Sequence, residues 1–138
     1  IPPMETRPMP LATADIVEIL QLYSKYNTAI DTGDGEGFAG CFVPDGVFHS
    51  GGPAGVIEGE AGIAEFARQT HAALPGMRHN ATNIVVEGEE NVASGSAFLI
   101  GYLVDGGYKP IVTGRYVDEL TRTKAGWRFT KRVFTIDG

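Results

Sequence analysis

His79 and Asp31 are the residues of this 138-residue chain best suited to proton chemistry. An imidazole takes and returns a proton near neutral pH, and a carboxylate on its other nitrogen fixes the tautomer and aims the ring. His79 stands in a segment rich in β-branched residues, Arg78 to Glu87. Alternation there places His79, Ala81, Asn83 and Val85 on one face and Asn80, Thr82, Ile84 and Val86 on the other. Asp31 closes a helical pattern immediately before Gly33 and Gly35. Taken singly, an interior histidine is commonly a hydrogen-bonded core residue, and an aspartate at a helix end commonly closes a turn.

Other chemistries find less support. His49, His71 and His79 fall on separate elements with no ligand pair at helix or strand spacing, so no metal site is expected. The single cysteine, Cys41, cannot make an intrachain disulfide and reads as a structural thiol. No glycine-rich loop follows a strand in the dinucleotide-binding form, and no cofactor is expected. The formal charge of −6 and pI near 4.9 would repel a nucleic-acid backbone over most of the surface. The longest apolar run, Phe98 to Val104, is too short to span a bilayer. The expectation is a soluble, cytoplasmic protein that binds neither nucleic acid nor membrane.

The elements that must position these residues follow from periodicity. Residues 1–12 are a Pro-rich arm, and residues 13–138 read as one domain. From Thr13, placed as the N-cap, Ile16, Ile19, Leu20, Tyr23, Tyr26 and Ile30 recur at three- and four-residue steps and predict a long amphipathic helix. A short helix over Glu36 to Cys41 should follow. Phe42 to His49 reads as a turn at Pro44-Asp45-Gly46 leading into a short strand, and Val56 to Glu58 as a small second strand. Gly59 to Ala73 regains helical spacing. Four β-rich segments end the chain, Arg78 to Glu87, Val92 to Val104, Lys109 to Arg122 and Trp127 to Ile136, and short turns between them predict an antiparallel meander. Helices first and strands later is the α+β pattern, a curved sheet packed on N-terminal helices.

The order of several short motifs resembles the SnoaL-like part of the NTF2-like superfamily. They are Tyr26 to Asp31 at the end of the first helix, Gly33-Asp34, Phe42-Val43-Pro44-Asp45-Gly46, Gly59 to Phe66, Arg78-His79-Asn80, Thr113-Gly114-Arg115-Tyr116 and Gly126-Trp127-Arg128-Phe129. The resemblance implies an NTF2-like cone, a strongly bent, mainly antiparallel sheet closed by helices around a deep apolar cavity. It also implies that His79 on the sheet pairs with Asp31 as an acid/base dyad. Tyr26 takes the place of a tyrosine that polarises a substrate oxygen in dehydratases of the group, where the halide-eliminating member carries lysine. Arg132 resembles an arginine on the last strand that steadies an anionic or carbonyl group, with Lys131 and Arg115 as competitors.

Five helical steps rotate by about 140°, so Tyr26 and Asp31 should line different sides of a cavity. Asn83, Phe98 and Tyr102 are further candidates for substrate contact by strand face. The expected activity is that of a cofactor-independent lyase or isomerase acting on a small hydrophobic cyclic molecule such as a polyketide, steroid-like or terpenoid compound. Two other roles share the fold: a noncatalytic binding or assembly domain, and the small subunit of a ring-hydroxylating oxygenase. The family resemblance implies a homo-oligomer, dimer or trimer.

Overall fold

The computed structural model describes residues 8–138. Three helices, α1 (Thr13–Thr32), α2 (Gly35–Ala39) and α3 (Glu60–Ala73), accompany six strands. These are β1 (Phe42–His49), β2 (Val56–Glu58), β3 (Met77–Glu89), β4 (Val92–Leu103), β5 (Lys109–Thr123) and β6 (Gly126–Ile136). They form one sheet in the order β2-β1-β6-β5-β4-β3, antiparallel throughout except where β1 runs parallel to β6. The architecture is the α+β cone expected, with α1 laid against β3 and β6 and with α3 against α2 and β1. The Pro-rich arm falls partly outside the described residues. Its residues 8–12 run beside the end of β3, where Leu11 N–H donates to Gly88 O and Glu90 N–H to Met9 O.

α1 begins one residue earlier than the sequence suggested. Ala12 is its N-cap, and the Asp15 carboxylate accepts from Ala12 N–H at 3.2 Å. The same carboxylate accepts from Trp127 Nε1 at 3.1 Å and pairs with Arg122 Nη1 at 2.8 Å, which ties the helix start to β5 and β6. Ile19, Leu22, Tyr23, Tyr26, Asn27, Ala29 and Ile30 form its buried stripe. Gly33 ends the helix at φ +74°, and a side chain there would meet the His71 ring of α3. β1 is a continuous strand rather than a turn and strand, but its pairing with β6 is interrupted between Phe42 and Val47, where Pro44-Asp45-Gly46 lies.

Two irregularities in the sheet decide which side chains enter the cone. On β3 the pairing with β4 shifts between Thr82 and Val85, and Asn83 sits in the bulge at φ +53°. His79 and Ala81 point inward before it, Ile84 and Val86 after it, and Asn83 and Val85 are exposed. On β6 the pairing with β5 shifts so that Phe129 opposes Leu120 while Lys131 opposes Glu119. Simple alternation from Trp127 and Phe129 would turn Lys131 inward. The shift turns Arg132 inward instead, where it is fully buried.

Candidate active site

Asp31 and His79 are joined twice. His79 Nδ1 lies 2.6 Å from Asp31 Oδ1, and the His79 backbone N–H donates to Asp31 Oδ2 at 2.9 Å. The second bond uses an amide on the free edge of β3, so one carboxylate both orients the ring and satisfies the strand edge that carries it. Both side chains are largely buried, at 10% and 11% exposure. With Nδ1 engaged by a carboxylate, the Nδ1–H tautomer is favoured and Nε2 is left as the basic nitrogen.

His79 borders two spaces. One is an apolar cavity of about 90 Å³ inside the cone, whose walls include Tyr26, Leu99, Val112, Tyr116 and Phe134. The other is a polar pocket of about 240 Å³ between α1 and β3, lined by Tyr23, Ser24, Asn27, Thr28 and Asp31 among others. Tyr26 and Asp31 thus face different spaces, as their rotation along the helix requires.

Tyr26 is buried among Phe38, Phe42, Phe48 and Phe129, and its ring meets that of Tyr116 on β5 edge to face, with centres 6.0 Å apart. Sequence reading passed over Tyr116. Its place on the inward phase of β5, two residues before Asp118 and four before Leu120, was the available signal. Burial pushes both phenols up, Tyr26 well above its ordinary range, while the nearby Arg132 charge pulls the other way. Both therefore remain protonated donors at neutral pH.

Arg132 enters the cone but does not line the cavity. Its guanidinium lies 3.5 Å from the Tyr116 ring centre and 4.2 Å from that of Tyr26, with Tyr23 and Phe129 completing an aromatic box. Arg132 Nε approaches Asp118 Oδ1 at 3.0 Å in a bent geometry, and Nη2 donates to Asp118 Oδ2 at 3.4 Å. The Tyr23 hydroxyl donates to the same Oδ2. A direct grip of Arg132 on substrate is thus replaced by a salt bridge behind two tyrosines.

The remaining candidates are placed elsewhere. Asn83 is carried outward by the β3 bulge. Phe98 lies on the outer face of β4, 51% exposed, because Ala97 and Leu99 take the inward phase. Tyr102 stacks on Tyr108 at 4.8 Å beyond a pairing shift in β4 and borders neither space. Cys41 is buried, and burial pushes its thiol up to about 11, so it stays protonated and unreactive at neutral pH. No group of three or more metal-ligating side chains occurs among the described residues. No helix among them is long and apolar enough to cross a membrane.

Comparison with known proteins agrees with this architecture. A protein of unknown function from Mycobacterium tuberculosis is similar at 35% identity, over 90% of this chain and 72% of its own, with a TM-score of 0.81. A protein provisionally assigned as an aromatic ring hydroxylase, from Novosphingobium aromaticivorans, is similar at 32% identity over 91% of each chain, with a TM-score of 0.77. Aln2 from a Streptomyces species is similar at 25% identity over 92% of this chain and 93% of its own, with a TM-score of 0.81. No curated protein matches the chain. The family model described as SnoaL-like domain matches residues 12–133, and the chain belongs to the SnoaL-like family.

Proposed function

We propose that the protein is a lyase or isomerase of the dehydratase kind that acts on a hydrophobic cyclic compound and uses Asp31 and His79 for proton transfer. The observation that carries this reading is the double attachment of Asp31 to His79, at 2.6 Å to the ring and 2.9 Å to the backbone. A ring merely packed in a core needs no such aiming. His79 Nε2 removes a proton from a carbon next to a carbonyl or similar activating group, and Asp31 stabilises the imidazolium that forms. For dehydration the C–H electron pair becomes the new double bond. The neighbouring carbon loses its hydroxyl, and the imidazolium returns its proton to that hydroxyl as water departs. For isomerisation the same proton returns to a different carbon.

The Tyr26–Tyr116 pair supplies the electrostatic partner. Phenols that stay protonated can donate to a substrate oxygen as negative charge develops on it. Arg132, held behind the rings by Asp118 and Tyr23, favours negative charge at that position without reaching the substrate. No step requires a cofactor.

The test is turnover on an identified hydroxylated or ketonic cyclic substrate. His79→Ala should lower kcat by about 10²–10⁴-fold, the usual worth of a positioned general base. Asp31→Asn should lower it by a smaller factor with little change in KM. Unchanged turnover in both variants would remove the mechanism.

A second reading is favoured by the 32% identity to the protein provisionally assigned as an aromatic ring hydroxylase. In it the chain is the noncatalytic small subunit of a ring-hydroxylating oxygenase. Stable copurification with a large iron-containing chain would support that reading.

A further inference from the structure

Asn27 is a polar residue on the buried stripe of α1, one helical turn before Asp31. It is 7% exposed, and its Oδ1 has no hydrogen-bond partner among the described residues. Buried polar atoms are as a rule hydrogen-bonded. An acceptor left over beside a polar pocket is one that a donor from outside the chain can satisfy. Asn27 borders the pocket of about 240 Å³ that is also lined by Ser24, Thr28, Asp31 and His79.

The surroundings narrow the chemistry of that group. An anion would sit against the Asp31 carboxylate, in a chain of net charge −6. A cation would have to compete for Asp31, whose two oxygens already face the ring nitrogen and the backbone N–H of His79. A neutral hydroxyl fits both halves of the amide, giving its proton to Oδ1 and accepting one from Nδ2. A ketone or ether oxygen satisfies only the second half and leaves Oδ1 bare.

Size points the same way. Substrate pockets usually span about 300–1,000 Å³. The apolar cavity of about 90 Å³ and the polar pocket of about 240 Å³ each fall below that range, and His79 is common to both.

We propose that the polar pocket between α1 and β3 is the hydroxyl-binding half of the substrate site, and that Asn27 sets the preference for hydroxylated substrates by accepting the O–H proton. The proposal rests on the reading of His79 as the catalytic base. The substrate's apolar ring enters the cone, its hydroxyl meets Asn27, and the imidazole stands between the two.

The test uses cyclohexanol and cyclohexanone as probes, which share a ring and differ in the O–H donor. Each is titrated into the ¹⁵N-labelled full chain while the Asn27 side-chain amide and the His79 ring are followed by NMR. Cyclohexanol should shift both saturably and bind at least about fivefold more tightly than cyclohexanone, the worth of one hydrogen bond, and Asn27→Leu should bring that ratio close to one. A ratio near one in the unaltered protein would overturn the proposal, with no variant needed. So would shifts confined to Leu99, Val112 and Tyr116, or no saturation up to the solubility of the alcohol, which would leave the pocket filled by water alone. Neither probe is turned over, so the two claims separate. Full turnover in His79→Ala with the alcohol preference intact would sink the catalytic reading and spare the pocket.

Discussion

Asp31 with His79 and Asp118 with Arg132 are both carboxylate pairs on the inner side of the cone, yet their surroundings differ. His79 and Asp31 keep 10% and 11% of their side-chain surface and border two spaces. Arg132 and Asp118 keep 1% and 0%, border neither, and are enclosed by Tyr23, Tyr26, Tyr116 and Phe129. The first pair engages only Nδ1 of the imidazole and leaves Nε2 uncommitted. The second is spent within the chain, its guanidinium packed against the tyrosine rings and its charge met by Asp118. A charged group near a site is not thereby a binding group, and the strand phase and the partners already taken decide which it is.

The sharpest way to break this contrast is to remove one carboxylate from each pair. Asp118→Ala should lower stability by about 3–5 kcal/mol, because it leaves the Arg132 charge buried without a partner. Replacing both residues, Asp118→Leu with Arg132→Met, should recover much of that loss in urea unfolding. Equal stability for the single and double replacements would show that the pair is not coupled.

A smaller effect tests the third member of that cluster. A Cβ at position 95 on β4 would collide with the Tyr23 hydroxyl that donates to Asp118. Gly95→Ala should therefore cost about 1–3 kcal/mol, the range for overpacking a filled interior. Thermal unfolding of Gly95→Ala alone and combined with Tyr23→Phe should show the second change relieving the first.

At the dyad the penalty should be lower still. Asn in place of Asp31 retains an oxygen that can accept from the His79 ring or backbone, so about 1 kcal/mol is expected, one hydrogen bond's worth. A loss as large as that of Asp118→Ala would make Asp31 chiefly structural.

The mildest prediction concerns the half-buried anchor of α1. Hydrogen bonds from Arg122 and Trp127 hold the Asp15 carboxyl down to about 2, below its ordinary 3.8. A depressed acid contributes stability that is complete above its unfolded pKa and lost as pH falls through the folded one. The urea midpoint of the unaltered protein should thus exceed that of Asp15→Asn at about pH 6, and the gap should close between about pH 4 and pH 2. A gap that persists at about pH 2 would mean that the carboxylate charge is not the source.

Much of the fold could be read from the chain because its signals were local. The α1 stripe, the glycine stop at Gly33 and the turns of the meander each lie within a few residues of sequence. The two sheet irregularities lie beyond such reading. At Asn83 the extra residue moves the inward phase from Ala81 to Ile84, and near Thr130 another moves it from Phe129 to Arg132. Nothing within either strand announces the shift, which is set by pairing with β4 and β5. Phe98 and Tyr102 were misplaced for a related reason: large aromatics invite an interior reading, but the cone is lined on β4 by Ala93, Ala97 and Leu99. Asn27 was the legible signal passed over. It is an amide on a stripe otherwise made of Ile19, Leu22, Tyr23, Tyr26, Ala29 and Ile30.

The central claim is that Asp31 holds the His79 ring with its proton on Nδ1, leaving Nε2 free to act as base. Long-range ¹H–¹⁵N correlation of the His79 imidazole in its neutral form tests that directly, without a substrate. The account predicts a protonated Nδ1 and an unprotonated Nε2, with the preference weakened in Asp31→Asn. A neutral ring protonated at Nε2 would contradict it.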